Sequence, residues 1–239
     1  MVVVSIVVPC YNEQESLPQL FSQIKNMVKR LDSKYTLDFV FVDDDSRDNT
    51  FNILSKFKNK FEMPKYGINV RIIRHNTNRN LGGVLKTAFK NVKGDFIVTI
   101  DADCTYDLSN VPKMLKMIND RTDIVTASPY HPKGSFTGSM YRMPLSKAAS
   151  KIYQIITRSK IYTFTSIFRV YRRKVIENIK IKSDGFIAVT EILVYALKKG
   201  YNVKELPTKL QIRRYGQSKM RLLSTIWSHL KLITRLLIL

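Results

Sequence analysis

The chain has 239 residues, with 40 lysines and arginines against 19 aspartates and glutamates and a formal net charge of +21. That length suits one large domain rather than two small ones, and the charge favours anionic partners such as nucleic acid, anionic lipid or a phosphorylated substrate, unless it only reflects a lysine-rich genome. Cys10 and Cys104 are the only cysteines, too few for a disulfide scaffold and in no metal-binding spacing, so a reducing compartment is expected. Met1 leads directly into an apolar strand without a basic leader, and no uncharged apolar run reaches about 18 residues; neither export nor a complete membrane span is expected.

Apolar strands alternate with helical patterns from the start. Strands are predicted over residues 2–8, 39–42, 70–73, 96–100 and 123–127, and helices over 13–31, 50–57, 83–92 and 111–118. Strands apolar on both faces imply an α/β fold, a Rossmann-like, mostly parallel sheet flanked by helices, with ligands bound beyond the carboxyl ends of the strands. From residue 128 a loop-rich stretch reads as a lid or acceptor loop, followed by a helix over about 139–157, another over 189–199 that ends at Gly200, and short strands at 203–206 and 210–212. Residues 222–239 place Leu223, Ile226, Trp227, Leu230, Ile233 and Leu237 at helical spacing, with Lys231 and Arg235 at polar positions. This amphipathic C-terminal helix either docks on its own core, lies on a membrane surface, or begins a truncated span.

Three polar clusters sit at predicted strand ends. Asp101 and Asp103 leave the strand over 96–100; such a pair suits Mg²⁺ or Mn²⁺ shared with substrate phosphates, the plainer alternative being a solvated turn or helix cap. Pro9-Cys10-Tyr11-Asn12-Glu13 lacks the glycine-rich fingerprint of a dinucleotide site. Tyr11 offers a face for a base, and Asn12 and Glu13 offer polar contacts, although Asn12 also suits a helix cap. Val42-Asp43-Asp44-Asp45-Ser46-Arg47-Asp48 crowds four carboxylates into one turn. Capping accounts for one or two of them, and a remaining carboxylate suits the N–H groups of uracil or guanine.

The segments Ile6 to Glu13, Val42 to Ser46 and Asp101-Ala102-Asp103 recur in an order and spacing that resemble family 2 glycosyltransferases of the GT-A fold, over nearly the whole chain. The second half is most similar to polyprenyl-phosphate sugar synthases of the dolichol-phosphate mannose synthase type, through Tyr141-Arg142-Met143-Pro144-Leu145-Ser146, Thr165-Ser166-Ile167-Phe168-Arg169 and Arg213 to Lys219. The resemblance implies a nucleotide-sugar donor, GDP-mannose or UDP-glucose, and a polyprenyl-phosphate acceptor. Donor contacts fall to Pro9, Tyr11, Asn12, Glu13, Val42, Asp43, Asp44 and Ala102, metal and diphosphate to Asp101 and Asp103, and closure over the diphosphate to Arg213 and Lys219. The acceptor falls to Arg142, Ser146, Ser166 and Arg169, and catalysis to Asp103, Arg213 and Lys219, with Glu191 either a base for a hydroxyl acceptor or an orienter of arginines.

Four positions depart from those synthases: Thr105 replaces a metal-assisting glutamine, Pro129 an acceptor-loop arginine, Ile167 a glycine, and Asp45 a common glycine. The organisation expected is a catalytic unit over 1–219 and a membrane-associating helix over 220–239, peripheral on the cytoplasmic face of an anionic membrane. A nucleic-acid partner is not expected, since no recognition module is present and the acidic strand ends would have no role. A noncatalytic membrane-surface adaptor stands as the alternative of another class.

Overall fold

Strands apolar on both faces need cover on both sides, and the computed structural model, which describes residues 1–137, 142–213, 215 and 222–238 with the side chains of 142 and 222 excepted, supplies it. The seven-stranded sheet runs β3 (Ile68–Arg74), β2 (Tyr35–Asp43), β1 (Val2–Cys10), β4 (Phe96–Thr99), β7 (Arg169–Arg172), β5 (Ile124–Ser128) and β8 (Val203–Pro207). All neighbours pair in parallel except β7, which is antiparallel to both β4 and β5. A short parallel pair, β6 (Ser135–Phe136) with β9 (Lys209–Leu210), stands apart from it.

Alternation along the strands sends each side chain to one of two cores. Val4, Ile6, Val8, Phe39 and Phe41 face a core closed by α1 (Leu17–Arg30), α2 (Thr50–Phe61) and α4 (Val111–Met117). In it Phe21 stacks on Phe57 with ring centroids 3.8 Å apart. Val7, Val40, Val42 and Ile97 face the other, closed by α3 (Asn80–Asn91), α5 (Arg142–Thr157), α7 (Ile187–Lys198) and α8 (Leu222–Leu237). Each fully buried phenylalanine or leucine contributes about 1.5–3 kcal/mol. A short helix α6 (Arg173–Asn178) follows β7.

Two of the differences from expectation have a clear physical cause. The first helix begins at Leu17 rather than residue 13, because 11–16 form a turn and Pro18 sits in the first helical turn, where its missing N–H is no loss. The strand β7 is hidden in sequence by arginines at 169, 172 and 173, yet Arg169 is fully buried at its start. Its guanidinium donates to Thr126 Oγ1 (3.2 Å), Val189 O (2.5 Å) and Phe164 O (2.6 Å), which fixes strand, helix and loop together.

Chain order reverses between β1 and β4, so the carboxyl ends of β2, β1 and β4 open on one crevice. Its side wall is the contact between α3 and the segment before α7, where Gly82 N–H donates to Asp184 O at 2.6 Å. A Cβ at Gly82 would lie 2.3 Å from Ser183 O. Gly82→Ala should therefore destabilise the protein by about 1–3 kcal/mol through forced backbone displacement; a urea midpoint equal to wild type would refute this close packing.

Candidate active site

The strands of the crevice each end in a residue with left-handed backbone: Asn12 (φ 51°) after β1, Asp45 (φ 63°) after β2 and Cys104 (φ 59°) after β4. Asparagine and aspartate tolerate this region better than other side chains. Asp45 therefore occupies its position at little cost. These turns fold the polar clusters back over the strand ends.

They frame a cleft of about 610 Å³, lined among the described residues by Pro9, Tyr11, Glu13, Asp44, Asp101, Ala102, Asp103 and Arg213, eight of the residues expected at the donor. Three others point elsewhere. Asn12 Oδ1 accepts from Arg47 N–H (2.8 Å), holding the turn after β2 to the turn after β1. Val42 is in the core. Asp43 is fully buried, with Oδ1 accepting from Ser46 N–H (3.3 Å) and Oδ2 standing 3.3 Å from Arg74 Nε. Asp48 accepts from Thr50 and Gln14 N–H groups, so within this acidic turn Asp44 alone lines the cleft. Its Oδ1 meets His75 Nδ1 at 2.6 Å and accepts from Arg79 N–H at 2.8 Å.

Negative charge dominates the floor. Asp103 Oδ1 accepts from Thr105 N–H (3.0 Å) and Thr105 Oγ1–H (2.9 Å), so the threonine caps this carboxylate. Burial, with Asp103 and Glu13 nearby, pushes the Asp101 carboxyl well above its ordinary value, against the opposing pull of Arg213. Arg213 answers that charge: Nη2 donates to Glu13 Oε1 (2.6 Å) and Oε2 (2.7 Å), and Nη1 stands 3.8 Å from Asp103 Oδ2. Ser16 Oγ–H donates to Glu13 Oε2 at 2.7 Å and fixes the glutamate in turn. Asp101 and Asp103 are hard oxygen donors suited to Mg²⁺ or Mn²⁺. Among the described residues no third acidic, histidine or cysteine ligand joins them, so an ion there would leave coordination positions for water or for a bound phosphate.

A second, apolar groove of about 300 Å³ lies between α5, α7 and α8 and includes Leu145, Ala149, Ile152, Ile167, Val189 and Ile233. It shares Leu81, Asp101, Phe186 and Thr225 with the polar cleft, so the two chambers meet at Asp101. Ser146 lines the groove, and Ile167 fills part of its wall. His229 also lines it, with Nδ1 3.0 Å from Tyr153 Oη, and burial lowers its pKa to about 4, keeping the ring neutral.

Three of the remaining expected residues line neither chamber. Arg169 is spent on the carbonyls described above, and Ser166 is buried beside Tyr106. Glu191 is fully buried, its Oε2 accepting from Lys182 and Ser183 N–H (3.2 and 2.8 Å) and its Oε1 from Arg235 (3.2 Å). Lys219 and the Arg142 side chain lie outside the described residues. Sequence reading missed Asn78 and Asn80 before and at the start of α3, the wall formed by Gly185 and Phe186, and Ser224, Thr225 and Ser228 on α8. A signal for the first was present in Asn78-Arg79-Asn80-Leu81-Gly82-Gly83, where adjacent glycines mark a close approach.

Comparison with known proteins agrees with this geometry. The family described as glycosyl transferase family 2 matches residues 5–180. The chain is 32% identical over 237 residues to a dolichol-phosphate mannosyltransferase of Pyrococcus furiosus, covering 98% of this chain and 63% of that protein. It is 31% identical over 176 residues to an undecaprenyl-phosphate 4-deoxy-4-formamido-L-arabinose transferase of Yersinia enterocolitica, covering 73% of this chain and 50% of that one. The chain thus spans less than two thirds of the length of either relative. Among solved structures, glucosyl-3-phosphoglycerate synthase from Mycobacterium tuberculosis, in complex with Mn²⁺, UDP and glucosyl-3-phosphoglycerate, superposes with a TM-score of 0.68 at 15% identity, covering 99% of this chain and 78% of that chain. The same enzyme with Mg²⁺ and UDP gives 0.68 at 14% identity, with the same coverage of 99% and 78%. The fold is the GT-A architecture expected from the sequence motifs.

A carboxyl whose pKa is raised on folding makes the folded state bind more protons than the unfolded one, so stability falls as pH rises above the ordinary value of 3.8. Asp101→Asn should remove that contribution, raising the urea midpoint of the metal-free protein at pH 8 and flattening its decline between pH 4 and 8. A midpoint at pH 8 below that of wild type would contradict the assignment of Asp101 as an electrostatic burden awaiting a cation.

Proposed function

Since the chain belongs to glycosyl transferase family 2, we propose that it transfers a hexose from a nucleotide sugar, GDP-mannose or UDP-glucose, to a polyprenyl phosphate, with inversion at the anomeric carbon. The observation that carries this reading is the meeting of a polar cleft and an apolar groove at Asp101. A donor with a charged diphosphate suits the first chamber, and the initial isoprenoid units of a lipid suit the second. The acceptor phosphate then comes to rest at the junction, near Ser146 and Arg142 at the start of α5.

Asp44 faces the nucleoside end of the donor, and Asp101 with Asp103 would hold Mg²⁺ or Mn²⁺. The bound ion supplies neutralisation of leaving-group charge. Arg213 turns from Glu13 and Asp103 toward the diphosphate, where a planar guanidinium pairs with phosphate oxygens, and Lys219 adds a point charge. A phosphate oxygen of the acceptor attacks the anomeric carbon as the bond from that carbon to the nucleotide diphosphate breaks, in one displacement. The acceptor is already anionic near neutral pH, so no general base is needed.

The alternative, a hydroxyl acceptor with Glu191 as base, is disfavoured because both carboxylate oxygens are already engaged and the residue lines neither chamber. We also assign residues 1–219 to the catalytic unit and 220–239 to membrane contact, with the inner face of the last helix lining both chambers. Among the described residues no helix is long and apolar enough to cross a membrane. The outer face of α8 exposes Leu223 (84%), Trp227 (61%) and Leu237 (71%), and α5 exposes Ile155 (70%). With Lys147, Lys151 and Lys231 on the same helices, this surface suits peripheral docking on an anionic leaflet, at the cytoplasmic face.

Incubation with labelled GDP-mannose or UDP-glucose, Mn²⁺ and dolichyl or undecaprenyl phosphate should label the lipid. Asp103→Ala should reduce the rate by about 10²-fold or more. Ala149→Trp, which fills the apolar groove, should raise the acceptor KM by about tenfold and leave the donor KM unchanged, a loss of roughly 1.4 kcal/mol of acceptor binding. Wild-type turnover by Asp103→Ala would remove the mechanism, and an unchanged acceptor KM in Ala149→Trp would remove the groove from it.

A further inference from the structure

The transfer mechanism has no use for Glu191 or Arg235, although a fully buried carboxylate is retained only when charge and hydrogen bonds compensate it. Glu191 in α7 is compensated from two directions. The N–H groups of Lys182 and Ser183 donate to Oε2, and Arg235 of α8 donates to Oε1. Just beyond those amides, Asp184 O accepts from Gly82 N–H, and the Asp184 carboxylate pairs with Lys86 Nζ at 2.6 Å. The segment is thereby pinned at both ends before it delivers Gly185 to the polar cleft and Phe186 to the junction of the two chambers.

Arg235 belongs to a helix with two loyalties. Leu232 and Leu236 of α8 are buried in the core, while the outer face is exposed and apolar. The same helix lends Ser224, Thr225 and Ser228 to the polar cleft. A shift of α8 therefore pulls on Arg235, and Arg235 shares its carboxylate with the cleft wall.

We propose that Glu191 is a positioning residue that locks the 182–186 wall to α8 through Arg235, so that the seating of the last helix sets the width of the junction where donor and acceptor meet. The coupling stands on geometry alone, and only its consequence for substrates rests on the transferase reading. Loss of Arg235 leaves the buried carboxylate with two amide donors and no cation, which is relieved when the carboxylate swings out and releases the Lys182 and Ser183 amides.

Amide hydrogen exchange followed by mass spectrometry on the full chain tests this without any substrate. Arg235→Met should speed exchange in peptides covering 182–186 by about tenfold, with peptides from β1 and β2 unchanged. Arg235→Lys, which restores a cation, should stay within about threefold of wild type. A wall that exchanges at the wild-type rate in Arg235→Met overturns the coupling, whether or not the protein transfers sugar. In the transfer assay with undecaprenyl phosphate, Arg235→Met and Glu191→Gln should each raise the acceptor KM more than they lower kcat, and the double variant should be no worse than the poorer single one. A kcat loss of about 10²–10⁴-fold confined to Glu191→Gln would instead mark a general base and overturn the proposal. Wild-type protein that transfers no sugar would sink the proposed function, and the exchange result would still decide the coupling.

Discussion

The arrangement turns on concentrated negative charge at the ends of neighbouring parallel strands. Asp101, Asp103 and Glu13 converge where β1 and β4 stop, and burial raises the cost of keeping Asp101 ionised there. The free chain meets that cost with Arg213, held by Glu13 and reaching toward Asp103. A cation and a diphosphate would meet it better, since the ion brings greater charge and the phosphate oxygens complete its coordination. Binding of both would release Arg213 to pair with phosphate.

The second constraint is lipophilic. Helices α5 and α8 each divide their apolar residues between the core, a groove and open surface, a distribution that a helix folding only on itself has no reason to keep. Because the groove ends at Asp101, the apolar chamber and the charged one share a wall, and Glu191 together with Arg235 ties that wall to the final helix. Electrostatic and hydrophobic parts of the site are thus neighbours in one mechanical unit.

Much of this was legible in the sequence where periodicity and polar clusters coincide. The parallel strands read as continuous apolar runs, and the carboxylates at 101 and 103 stand at a strand end because the apolar run stops there. What escaped reading depends on partners distant in the chain. Arg169 has the sequence context of a ligand-binding arginine, yet three acceptors supplied by the fold absorb its donors. Asn12 and Asp43 sit in the right motifs and are spent on the turns that shape the cleft. The strand β7 was obscured because its arginines carry the local signature of a surface segment, and the wall at Gly185 and Phe186 has no local signature at all.

The central claim, that Asp101 and Asp103 hold a divalent ion together with a nucleotide diphosphate, is tested most directly by calorimetric titration of GDP and UDP with and without Mn²⁺. Saturable binding of one nucleotide that requires Mn²⁺, and that is lost in Asp103→Ala, is the result the charge distribution predicts. Binding of equal strength without the metal, or none of either nucleotide to a folded sample, would contradict it.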